Sequence, residues 1–201
     1  MRPSVTAAFP GLTRSLEGDL PFLYLDVKCL VTTGLGCLVD PVSLATPLDW
    51  QRPDGTYASV DEIEAAWLAV KSRRDLALHG GGAFASVTTI RLSPPSIDHL
   101  ACQRAADNEE ILRGAFDGYD DLPANAQLGL LSMSWAAGPY TFRGFPRFDA
   151  ALRARDWATC SMECGMDATG NPGLVPRNRV NARLFATCLD AGDPSEITGW
   201  P

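Results

Sequence analysis

Glu17, Asp26 and Thr32 are the residues whose types and spacing suit a defined reaction: the two carboxyl groups are nine positions apart and the threonine lies six beyond the aspartate. Cleaving a glycosidic bond takes two carboxyl groups on opposite sides of it, one protonated to release the leaving oxygen and one ionised to act on water. A carboxyl at a helix end and a second on the hairpin that follows can face each other across a groove. Burial of Glu17 beside Leu16 would favour the acid role, and a more open strand position would keep Asp26 ionised. The Thr32 hydroxyl can hold the attacking water, and Gly34 and Gly36 in the run Thr32-Thr33-Gly34-Leu35-Gly36 would let a substrate pass close to the backbone. Singly, the three residues also suit ordinary duties: a helix-end glutamate, an aspartate that starts a turn and a β-branched strand threonine.

The elements that must position them can be read along the chain. A short helix around Thr13 to Glu17 stops at Gly18 and Pro21, and β-prone runs at 22–27 and 30–35 form a hairpin. Residues 41–57, rich in Pro, Asp and Gly, predict a loop anchored by Trp50 and Tyr57, both of which could stack on sugar rings. Ser59 and Glu62 form a capping box for a helix whose stripe of Ile63, Trp67 and Val70 runs to about Leu78, with Trp67 read as core. After the break at Gly80-Gly81-Gly82, Ala85 to Leu92 reads as extended, and a helix starts at Ser93-Pro94. Pro123 to Ala137 is apolar on nearly every face, which predicts a central buried helix, and further helices follow at 147–154, 156–166 and about 178–188. The class is α+β: one domain over residues 1–201, with a catalytic part at 12–58, a variable helical middle at 59–121 and a helical lobe at 122–190.

The chain has 201 residues, 46% of them hydrophobic, which excludes a disordered chain, and no apolar run is long enough to span a membrane. With 24 acidic against 17 basic side chains its net charge is -7, which argues against generic binding to nucleic acid or anionic membranes. The six cysteines lack close CxxC pairs, and Cys160 and Cys164 read as buried apolar residues; no metal or cofactor is expected. His79 and His99 have no partner at ligand or catalytic spacing, and no GxSxG elbow is present, so nucleophilic serine or cysteine chemistry is poorly supported.

The segment Leu16-Glu17-Gly18, then Tyr24 to Asp26, then Thr32-Thr33-Gly34-Leu35-Gly36 resembles the catalytic region of the phage-type lysozymes of the T-even phages, glycoside hydrolase family 24. The resemblance continues in order through Leu128 to Gly138, Phe142 to Phe145, Phe148 to Leu152, Asp156-Trp157-Ala158 and Gly173-Leu174-Val175-Pro176-Arg177, covering about residues 12–38 and 122–190. It implies a lysozyme-like fold with Glu17 as general acid, Asp26 and Thr32 as the pair that places water, inversion at the anomeric carbon, and Arg177 as partner of the glutamate, with Arg179 close enough to serve instead. Where members often carry histidine or asparagine after the second glycine, this chain has Cys37, and residues 39–121 have no counterpart.

The resulting expectation is a muramidase that cleaves the β-1,4 bond between N-acetylmuramic acid and N-acetylglucosamine in peptidoglycan glycan strands, with carboxyl groups about 6.5 to 9.5 Å apart. The alternatives are a chitin or chitosan hydrolase on the same fold and a non-catalytic wall-binding or interaction module. Residues 1–17 carry Arg2 and Arg14 and no continuous apolar run, which predicts a cytoplasmic product without a signal peptide that reaches the periplasm or wall by a holin or a secretion machine. An immunity protein would be a partner in the second case. The acidic balance fits delivery by other machinery better than electrostatic attraction to an anionic wall.

Overall fold

In a computed structural model describing residues 1–189 and 193–199, the chain separates into two compact units, residues 17–101 and residues 1–16 with 102–201. The units part within a long helix, and residue 190, the end of the expected last lobe, lies outside the described residues. In chain order the elements are α1 (Pro3–Glu17), β1 (Leu20–Leu25), β2 (Val31–Gly34), β3 (Cys37–Leu38), β4 (Trp50–Gln51), α2 (Val60–Ser72), β5 (Arg91–Leu92), α3 (Pro94–Ala115), α4 (Ala124–Ala137), α5 (Pro146–Arg153), α6 (Trp157–Glu163) and α7 (Leu174–Thr187). The class is α+β, helices with small antiparallel sheets. No helix among the described residues is long and apolar enough to cross a membrane.

Three expectations about extent are corrected. Helix α1 begins at Pro3 rather than near Thr13, because Val5, Phe9 and Leu12 form a fully buried stripe that outweighs the lost hydrogen bond at Pro10. Helix α2 keeps its capping box, with the Ser59 side chain accepting from the Glu62 backbone and Glu62 from that of Ser59, but it ends at Ser72. Its apolar stripe has run out there, since Leu78, in the short 3-10 helix that follows, is 88% exposed. Of residues 85–92 only Arg91 and Leu92 pair as a strand; the Arg91 guanidinium takes the carbonyls of Ala85, Thr88 and Ile90, so they need no neighbouring strand.

In the unit of residues 17–101, β1, β2 and β3 form an antiparallel sheet with Tyr24 opposite Thr32 and Thr33 opposite Cys37. The chain leaving this sheet is braced by α2. The Lys71 ammonium donates to the Cys29 carbonyl at 2.9 Å and to the Asp40 carboxylate, which in turn accepts from the Val31 N–H at 3.1 Å, while the Trp67 indole donates to the Val39 carbonyl at 2.9 Å. Burial pushes the Asp40 carboxyl up, but the Lys71 hydrogen bond, the Val31 N–H and the Lys71 charge outweigh it and hold the group below the usual carboxylate range. A carboxyl so depressed adds stability that is complete above its unfolded value of about 3.9 and is lost as pH falls through the folded one. Lys71→Met is therefore expected to cost about 1 kcal/mol at neutral pH by leaving the half-buried Asp40 without its cation. Urea unfolding at neutral pH and again below about pH 3.9 checks this, because the difference from wild type should shrink once Asp40 is protonated.

In the other unit, α4 is buried at every residue from Ala124 to Ser134, as a helix apolar on nearly every face demands. Its amide side chains donate internally, Asn125 to the Thr198 carbonyl at 2.8 Å and Gln127 to the Tyr119 carbonyl at 3.2 Å, while the buried Oε1 of Gln127 has no partner. Gly129 lets α7 approach, since a Cβ there would lie 2.8 Å from Cζ of Phe185, itself pinned edge-on by Phe148 with ring centroids 5.1 Å apart. Gly129→Ala gains at most about 1 kcal/mol of helix propensity and overpacks a rigid aromatic, at about 1 to 3 kcal/mol. A lower thermal midpoint with unchanged helical circular dichroism is the expected result.

Candidate functional site

Glu17 is the last residue of α1, and its exposed side chain corrects the expectation that burial beside Leu16 sets its protonation. Gly18 follows at φ 80°, turning the chain out of the helix and into β1 within three residues. Asp26 closes the β1–β2 hairpin. Its Oδ1 accepts from the N–H groups of Lys28 and Leu30, both at 2.8 Å, and its own N–H donates to the Leu30 carbonyl at 3.0 Å. This is an aspartate turn of the ordinary kind, and it uses one carboxylate oxygen. Thr32, buried in β2, donates its hydroxyl to the Leu30 carbonyl at 3.2 Å, so the same short loop orients both side chains.

Directly opposite Thr32, on β1, stands Tyr24. Its phenol is pushed up from its ordinary range by burial first, then by the charges of Glu17, Cys37 and Asp26. Cys37 is buried and pairs with Thr33, the residue next to Thr32. Sequence reasoning passed over Tyr24 as a site residue; the available signal was its place two residues ahead of Asp26 at the end of β1.

The supporting residues fare differently. Gly34, at φ 61°, is buried, and a Cβ there would lie 3.1 Å from Cγ2 of Ile97, so core packing rather than a passing substrate fills its open side. Gly36 is exposed at the β2–β3 turn with φ 87°. Trp50 is corrected: it is 1% exposed, its indole donates to the Ala45 carbonyl at 2.9 Å, and it cannot stack on a sugar from there. Tyr57 is 64% exposed on a loop held by Arg52, which also grips Glu62 and, with the Ser59 N–H and hydroxyl, holds that carboxyl down to about 2. Arg177 belongs to the other unit, buried on α7, where it donates to the carbonyl and hydroxyl of Ser132 at 3.0 and 3.1 Å.

Among the described residues no group of three or more His, Cys, Asp and Glu is placed to hold a metal ion. Cys160, Cys164 and Cys188 are buried, and burial pushes their thiols up to about 12, 11 and 12. Such groups are inert packing rather than nucleophiles.

No family model matches the chain, and no curated protein matches it either.

Proposed function

We propose that residues 17–101 carry the site of a glycoside hydrolase, a class that needs a pair of carboxyl groups and a way to place water. Within that class, the reading is a muramidase acting by inversion on the β-1,4 bond between N-acetylmuramic acid and N-acetylglucosamine of peptidoglycan. The observation that carries it is the placement of Glu17 at the end of α1, directly ahead of β1, with Asp26 and Thr32 both oriented by the backbone of Leu30 in the hairpin that follows. Glu17, exposed at the helix end, gives its proton to the leaving oxygen; Asp26 and Thr32, oriented by one loop, place the water on the other side. The lysozyme-like fold, the delivery to the wall by a holin or secretion machine, and an immunity protein in the producer all belong to this proposal. Release of soluble fragments from dye-labelled, purified cell walls tests it, with release expected from the wild-type protein and the absence of release from walls, chitin and chitosan alike counting against it.

A second reading, a wall-binding or interaction module without catalysis, is favoured by a specific observation. The Asp26 carboxylate already has a structural task in its turn, and the buried Trp50 removes one of the two expected stacking aromatics. Sedimentation with insoluble walls and no release of fragments would favour it.

A further inference from the structure

The Gly80-Gly81-Gly82 run interrupts the chain after α2, and its three glycines do not serve the same end. A Cβ on Gly80 or Gly82 would meet nothing within 4 Å. On Gly81 it would lie 2.6 Å from Cδ1 of Leu20, 2.9 Å from Cδ2 of Tyr24 and 3.1 Å from its Cγ. Gly81 opens a 3-10 turn, Gly81–Phe84, anchored by the fully buried Phe84, so its backbone sits against β1 as a firm surface rather than a loose loop. No residue with a side chain could hold that place without shifting the Tyr24 ring, because contacts under 3.0 Å on an aromatic carbon have no flexible end to yield.

The half-buried Tyr24 is thus held from two sides, by Thr32 across the strands and by Gly81 against its ring. Burial and the charges of Glu17, Cys37 and Asp26 all favour the protonated phenol, so its hydroxyl is a neutral donor under ordinary conditions. A neutral donor on the strand opposite Thr32, in the same unit as Glu17 and Asp26, suits an uncharged acceptor, such as the acetamido carbonyl or a hydroxyl of a sugar, better than an anion, which the carboxylates would repel.

We propose that Tyr24 is a substrate-contacting residue of this site, its hydroxyl donating a hydrogen bond to a neutral oxygen of a bound acetamido sugar, and that Gly81 is a positioning residue that seats its ring. The assignment rests on the glycosidase reading above.

Steady-state cleavage of purified peptidoglycan tests it with four variants. Tyr24→Phe, which keeps the ring and removes the donor, is expected to lower kcat/KM on the order of 10-fold with an unchanged circular dichroism spectrum. Gly81→Ala should lose a similar factor, and Gly82→Ala, built into open space, should behave as wild type. In the Tyr24→Phe background Gly81→Ala should cost less than about 2-fold more, since the group it positions is already gone. Tyr24→Phe with wild-type activity overturns the role of Tyr24. Gly81→Ala with the same loss in both backgrounds makes Gly81 a residue of the fold alone and overturns its positioning role. A wild-type protein that cleaves no glycan overturns the glycosidase reading, and this assignment with it, whereas an active wild type beside an equally active Tyr24→Phe leaves the reading standing.

Discussion

Glu17→Gln should reduce the release of fragments from purified cell walls by about 100-fold or more, the usual cost of removing a general acid. The substitution keeps the side chain's size, exchanges one carboxyl oxygen for an amide nitrogen and removes the group's ability to ionise or give up a proton. Glu17 is exposed at the end of α1, and a melting curve beside the assay separates lost chemistry from lost fold. If the protein binds walls without cutting them, binding by Glu17→Gln and wild type should be equal and neither should release fragments.

The second large effect is expected at Asp26, where the structural and chemical roles can be divided. Oδ1 accepts from Lys28 and Leu30 and so builds the turn. Asparagine keeps an amide oxygen that can accept the same two bonds, and it suits this kind of turn as well as aspartate does. Asp26→Asn should therefore leave the hairpin intact, yet it removes the ionised group that acts on water and should lower cleavage by about 100-fold. Asp26→Ala is expected to lose both roles, with a lower thermal midpoint as well as lower activity. An Asp26→Asn protein as active as wild type would show that the aspartate serves only the turn. The contrast between the two variants, read in activity and in unfolding on the same samples, is the measurement.

The parts of this molecule that were legible in the sequence are those in which a local pattern decides the outcome. Helix α4 could be read because its burial is continuous, and the Ser59 and Glu62 box because both partners lie within one turn. Helix α1 extends beyond its legible part near Thr13 because the packing of Phe9 edge-on against Trp135, at 5.2 Å between ring centroids, is settled far along the chain. The candidate site shows the same division. The spacing of Glu17, Asp26 and Thr32 was visible, and the turn role of Asp26 was foreseen as one of its readings. That Gly34 makes room for Ile97, that Trp50 faces inward to Ala45, and that Gly81 meets the Tyr24 ring all depend on contacts between distant positions, and no periodicity or motif encodes them. Arg91 belongs with these, since its three carbonyl contacts replace the strand pairing that the β-branched run led us to expect.

The central claim is that the carboxyl pair on α1 and the first hairpin cuts the glycan of peptidoglycan by inversion, and analysis of the ends it creates tests this most directly. Purified peptidoglycan is digested, the new reducing ends are identified after borohydride reduction, and the anomer formed first is followed by proton NMR. The account predicts reducing N-acetylmuramic acid released initially as the α-anomer. Reducing N-acetylglucosamine, an initial β-anomer, or no new reducing ends from a folded protein would contradict it.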